Sequence, residues 1–373
     1  MDVYIFMLCW VILGGIFSNV TAKRVCVSDG VYENRSRLFA AILVFSVIIF
    51  FAGLRTTVGD TSTYIKGFNA YTDVNSIINS QTRAVGFDLF SLFIKNYISN
   101  DYNVWLMIIA VVSGISVMIP LYKYSCNFGV SAFLFMASCQ FTWMFNGMRQ
   151  FIVASIMFAC TGLILKNRTV LYIIIVCILS TFHQSALILI PMYFIAKGEP
   201  WNKRTMLFIG CIVLAMLFTS KFTNVLNDVV ENTDYATSVN EFKGTDDGTS
   251  VIRILVESIP IIMAFIYRDK IKDKLTPIIK LSINMSLISS GFYIISKIVN
   301  SGILLGRLPI YFSIYNLILL PWLLNNIFEK KEKNLIYYIM IVCYFAFFYY
   351  QMIIAWGGLS YGSEILNIKY KWH

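Results

Sequence analysis

An all-α, polytopic integral membrane protein with about twelve transmembrane helices is the fold this sequence predicts. Three observations predict it. Hydrophobic residues make up 58% of the 373 and charged residues only 13%, roughly half the charged share of a soluble globule. Apolar runs recur along the whole chain, most of them close to the roughly 20 residues that a helix needs to cross the hydrocarbon core. Nothing between them is long enough for a soluble domain, so residues 1–373 read as a single polytopic membrane domain.

The first run, 3–22, lacks the basic n-region of a secretory signal, and Lys23 and Arg24 follow it, so it is predicted to stay as a helix. The run 38–54 carries no charge until Arg55. The segment GFDLFSLFIKNYI, 86–98, is too short and too polar to cross and is predicted to lie in the interface or re-enter it. Next come 103–122 and four shorter runs, 130–147, 150–165, 169–182 and 184–197. Runs at 205–220, 251–267, 280–300, 308–327 and 335–355 complete the set. Pro120, Pro191, Pro260, Pro277, Pro309 and Pro321 are candidate kinks, which neighbouring helices accommodate. Two connecting segments, 55–102 and the polar 219–250, are longer than a link requires, and long loops in compact proteins are usually functional or disordered. No repeat relates the two halves.

The net charge of +10 sorts by side of the membrane. With the link after the first run placed in the cytoplasm, the inner loops collect most of the Lys and Arg, among them Lys23, Arg24, Arg35, Arg37, Lys123, Lys166, Arg168, Lys197, Lys203, Arg204 and the 268–280 and 330–333 clusters. The other side is near neutral. This is the positive-inside pattern; it turns both termini outward and makes a nucleic-acid partner unnecessary. The eight cysteines form no C-x-x-C pair and lie mostly in apolar runs, where a thiol acts as a small hydrophobe. Asp60 is isolated and the acids of 219–250 are scattered, so no metal-ligand set is expected, and no Gly-rich phosphate loop points to a cofactor.

The same alternation brings polar residues from distant segments to one membrane surface: Arg55 and Asp60, then Asn146, Arg149 and Gln150, then His183, then Arg307. Each has a bland reading, since an arginine at a helix end snorkels to headgroups and a lone histidine beside Gln and Ser is commonly a packing residue. Arg149 resists it. It precedes the apolar run FIVASIMFA, in the first turn of a helix whose macrodipole disfavours a cation, so an anion is expected nearby. Helix N-termini and arginine forks both suit a diphosphate. Tyr64, Phe68, Tyr71, Trp143 and Tyr361 could stack sugars or form an interfacial belt. Arg253 and Glu257, four apart, read as an intrahelical pair.

Three stretches carry a family resemblance: FAGLRTTVGDTSTYIKGF (51–68), FNGMRQFIVASI (145–156) followed by LKNRTVLYIIIVCILSTFHQSALILIPMY (165–193), and GRLPIYFSIYNLILLP (306–321). They resemble the Wzy-type O-antigen and exopolysaccharide polymerases, in the EpsG-like branch, through an R-x-x-x-G-x-D pattern (Arg55, Gly59, Asp60), an N-x-x-R-Q hairpin (Asn146, Arg149, Gln150) and F-H-x-S-A (Phe182, His183, Ser185, Ala186). The ending IKYKW (368–372) is a looser match. The resemblance implies a GT-C-like membrane glycosyltransferase of the bacterial inner (plasma) membrane. It would transfer a growing glycan from undecaprenyl diphosphate to a new lipid-linked repeat unit, on the side facing the periplasm or cell exterior. It also implies that Arg149, Arg307 and Arg55 stabilise the departing diphosphate, that Asn146 and Gln150 contact substrate, and that His183 or Asp60 takes the acceptor proton. No metal or other cofactor is implied, and a chain-length-regulating partner is compatible with it. The rival readings are a lipid-linked oligosaccharide flippase or transporter and an O-antigen ligase.

Overall fold

A peptide group in lipid finds no water, so an apolar run must satisfy its own hydrogen bonds, and a helix does so within one segment. The computed structural model describes residues 1–28, 31–79, 84–218, 248–302, 304–357 and 359–369, and in it every predicted span contains helix in its described part. Most of the expected polar loop 219–250 lies outside the described residues, as does part of the IKYKW ending. Four helices are long and apolar enough to cross a membrane unbroken: Asp2–Val20, Tyr102–Tyr124, Pro277–Ile298 and Lys331–Ala355. Most of the other spans are shorter or interrupted. The chain is a membrane protein by these helices, and it divides into two compact units, Met1–Ala186 with Phe328–His373, and Leu187–Ile327.

The first unit begins with α1 (Asp2–Val20) and an antiparallel hairpin, β1 (Lys23–Ser28) and β2 (Val31–Arg35). This hairpin departs from the expected all-α fold; valines at 25, 27 and 31 favour the pleated backbone. Then follow α2 (Leu38–Gly53), α3 (Thr61–Ala70), α4 (Val74–Asn79), α5 (Val85–Tyr97), α6 (Tyr102–Tyr124), α7 (Phe128–Ala137), a 3-10 turn at Gln140–Met144, α8 (Met148–Ala159), α9 (Thr161–Leu165) and α10 (Thr169–Ser180). The segment expected at the interface, 86–98, is the helix α5.

With no hydrophobic force between helices in lipid, close approach of backbones holds them together. A Cβ on Gly15 of α1 would lie 3.1 Å from Gly129 Cα of α7, and one on Gly114 of α6 only 2.4 Å from Ile49 Cγ1 of α2. The run 130–147 is broken because Cys139 takes φ +62°, after which the 3-10 turn leads to Gly147 at φ +78° and into α8. Such non-helical backbone is tolerated at membrane depth only inside protein, and Gln140, Phe141 and Thr142 are all buried.

The second unit comprises α11 (Leu189–Ala196), α12 (Lys203–Leu217), α13 (Val251–Ile266), α14 (Arg268–Ile271), α15 (Pro277–Ile298), α16 (Ile310–Ser313) and α17 (Asn316–Ile327). At one end Asn284 Nδ2 donates to Ala196 O (2.8 Å) and Gly198 O (3.2 Å), Lys280 pairs with Glu199, and Lys274 Nζ donates to Asn326 O (3.1 Å). At the other, Thr249 Oγ1 and Ser296 Oγ lie 2.9 Å apart and Ser296 Oγ donates to Ser301 O (3.0 Å). The first end gathers the basic links; the second leads to Arg307. α18 (Lys330–Tyr349), continued by a π-helical turn at Tyr350–Ala355, returns the chain to the first unit.

Candidate functional site

α2 stops at Gly53 and the chain turns directly into Arg55–Asp60. Arg55 is 0% exposed. Its Nε donates to Thr61 Oγ1 (3.0 Å), Nη2 reaches Met148 Sδ (3.0 Å), Nη1 donates to Ala52 O, and the guanidinium lies 5.7 Å from the Phe145 ring centre. Among the described residues no carboxylate pairs with it. Burial lowers its pKa to about 10, against the opposing pull of the Tyr361, Tyr64 and Tyr4 phenols, so it stays a cation at neutral pH.

Gly59 adopts φ +50°, and a Cβ there would lie 2.9 Å from both Cβ and Cγ of Asn146. A glycine is needed for the backbone angle and for the contact. The R-x-x-x-G-x-D stretch is thereby pressed against the N-x-x-R-Q hairpin, and Thr61 Oγ1 lies 3.4 Å from Phe145 O across the same junction. Asn146 Oδ1 is buried with no hydrogen-bond partner, an acceptor that a hydroxyl donor would satisfy. Asp60 starts α3 with its side chain exposed and no capping bond.

Arg149, in the first turn of α8, is half-buried. Its Nε lies 3.4 Å from Tyr64 Oη and its guanidinium 5.5 Å from the Tyr64 ring centre. Asp88, 5% exposed, lies within electrostatic reach of Arg149 and accepts a 2.6 Å hydrogen bond from Tyr71 Oη. Burial and the Asp88 bond both push the Tyr71 phenol above its ordinary range. The anion that the helix dipole calls for is thus partly the protein's own. Sequence reasoning missed Asp88: the one signal was a carboxylate in the first turn of α5, among Phe87, Leu89 and Phe90.

The third motif joins through one hydroxyl. Ser185 Oγ accepts from Gln150 Nε2 (3.2 Å) and lies 2.7 Å from His183 Nδ1, tying the half-buried imidazole to α8. α5 supports this corner, with Gly86 N donating to Thr181 O (2.9 Å) and Phe87 against Phe182 (6.2 Å between centres). Arg55, Asp60, Asn146, Arg149, Gln150 and His183 therefore gather at one end of the first unit, carried by three motif stretches packed on one another. The EpsG family model matches residues 38–371, which takes in all three. The chain belongs to the EpsG family. No curated protein and no solved structure matches it.

In this EpsG-family chain Arg307 belongs to the second unit, in the turns that lead into α16, with Arg307 O accepting from Ile310 N (3.4 Å). Its neighbour Gly306 is pinned, since a Cβ there would lie 2.6 Å from Gly302 O. No group of three or more His, Cys, Asp or Glu that could hold a metal occurs among the described residues.

A strap from the far end of the EpsG match closes over Arg55. Tyr361 Oη donates to Phe51 O (2.9 Å), Thr56 N to Gly362 O (2.8 Å), Glu364 N to Thr56 Oγ1 (3.1 Å) and Tyr102 Oη to Glu364 Oε2 (2.8 Å). Beside it opens a cavity of about 360 Å³ lined by Thr56, Thr57, Ser363, Glu364, Asn367, Ile368 and Lys369. The sequence held no sign of this pairing.

Proposed function

We propose that this protein is the polymerase of a bacterial surface polysaccharide, working on the outer face of the inner membrane through about twelve helical crossings. In the proposed reaction a hydroxyl of the new lipid-linked repeat unit attacks the anomeric carbon of the growing glycan. A carbon–oxygen bond forms there while the bond to undecaprenyl diphosphate breaks, and its electron pair leaves with the diphosphate. The hydroxyl proton passes to a base.

The observation that carries this reading is the meeting of the three motifs around two arginines, one of them buried with no carboxylate to neutralise it among the described residues. A departing diphosphate gains charge, and fixed cations set in advance stabilise that charge most. Arg149, half-exposed and lying over the Tyr64 ring, is the group assigned to touch the diphosphate. Arg55, enclosed by Ala52, Thr61 and Met148, adds its field from behind and positions the hairpin. Arg307 is the third cation of the proposal. Asn146 Oδ1 accepts from a sugar hydroxyl. His183 and Asp60 remain the two candidates for the base. His183 is oriented by Ser185, and imidazole is the side chain that most often serves as a general base.

The test is a gel profile of surface polysaccharide from the source organism with the gene deleted, then restored as wild type or Arg149→Ala. Single repeat units without a ladder, corrected only by wild type, is the expected result. Loss of even the single unit would move the protein to a flippase or ligase role.

A further inference from the structure

The second unit carries a cavity that the polymerase reading does not use. It measures about 600 Å³, within the range of ligand sites, and is lined by Phe194, Lys197, Gly198, Asn202, Lys203 and Arg204. Three of its six lining residues are cations. The neighbouring carboxylate, Glu199, is engaged with Lys280, and no ion pair joins Lys197, Lys203 or Arg204 to an acid among the described residues.

The geometry presents these charges to a ligand. Arg204 Nη1 donates to Phe194 O (3.0 Å), which fixes the guanidinium at the rim. Asn202 Oδ1 already accepts from Arg204 N (2.8 Å) and Thr205 N (3.1 Å), so these two amides of the first turn of α12 are satisfied within the chain. Lys203 and Arg204 are exposed in the first turn of α12, where the dipole opposes a positive charge. An anion seated between them relieves that opposition.

The walls continue as lipid would. From Lys203 one face of α12 runs through Leu207 and Leu214, 69% and 55% exposed, and Phe194 beside the cavity is 46% exposed. Cationic residues over a continuous apolar face match a phosphate headgroup with its acyl chains below it. We propose that this cavity binds the headgroup of an anionic phospholipid. It stands apart from the polymerase reading and does not depend on it.

The test uses the full-length protein, delipidated in detergent, with phosphatidylglycerol or phosphatidylcholine returned and bound lipid counted by native mass spectrometry. Wild type is expected to retain phosphatidylglycerol over phosphatidylcholine. Lys203→Ala/Arg204→Ala is expected to lose about twenty-five-fold of that preference, at roughly a factor of five per cation, with unchanged melting because both side chains are exposed. Arg204→Lys, which keeps the charge, should retain most of it. Equal retention of the two lipids, or an unchanged preference in the double variant, overturns the proposal. Displacement of phosphatidylglycerol by millimolar inorganic phosphate also overturns it, since the cavity would then recognise phosphate without the chains.

Discussion

Arg253 and Arg55 are both buried, 8% and 0% exposed, yet their surroundings differ in one respect. Arg253 has Glu257 one turn along α13 at 3.9 Å, and Asn316 Nδ2 of α17 donates to that carboxylate at 3.2 Å. Arg55 has a carbonyl, a hydroxyl, a thioether and an aromatic face, and no carboxylate among the described residues. The second unit cancels its buried charge within its own packing. The first keeps one uncancelled beside the half-exposed Arg149, where a negatively charged substrate group would complete the balance.

Breaking the cancelled pair should have the largest effect. Glu257→Ala leaves the buried Arg253 without its carboxylate, and removing one partner of a buried pair typically costs about 3–5 kcal/mol, which should appear as a large fall in melting temperature of the purified protein. The double variant Arg253→Met/Glu257→Leu should recover most of it. If Glu257→Ala melts as wild type does, neither the pair within α13 nor the Asn316 bond to α17 contributes to stability.

Arg149→Ala should do the reverse, leaving melting unchanged while slowing polymerisation in membranes about 10²- to 10³-fold, as loss of a group that stabilises developing charge does. Equal rates at equal protein level would remove Arg149 from the chemistry. Gly59→Ala lies between these cases. It forces a side chain into a left-handed backbone position and against Asn146, a strain of about 1–3 kcal/mol, and both stability and rate should fall. A rate loss without a change in melting would show that the junction matters only to the substrate.

The smallest and sharpest is Arg55→Met. An apolar residue of similar length can replace a buried charge at little cost to stability, so melting should move by no more than a few degrees while the rate drops about tenfold. A collapse in melting would mean that Arg55 is structural, and the contrast with Arg253 would fail.

The helices were legible in the sequence because hydropathy and charge sorting report directly on what lipid accepts. Their interruptions were not, since the break at Cys139 depends on backbone angles that composition does not record. The short motifs singled out Arg55, Asn146, Arg149, Gln150 and His183, which the fold brings together, because glycine beside paired polar residues at a lipid border is unusual. Asp88 escaped because its partner Tyr71 lies 17 residues earlier, in a separate segment. The hairpin after α1 was passed over too, although Asp29–Gly30 between valine-rich stretches is a turn signal.

The strap that closes over Arg55 also sets an order of events during synthesis. Phe51 leaves the ribosome 310 residues before Tyr361, the side chain that bonds it. Through all that elongation Thr56 lacks Gly362 and Tyr102 lacks Glu364. The corner holding Arg55 is therefore finished by a late, long-range docking step, and a nascent chain arrested after α18 would carry inserted helices without the completed strap over Arg55.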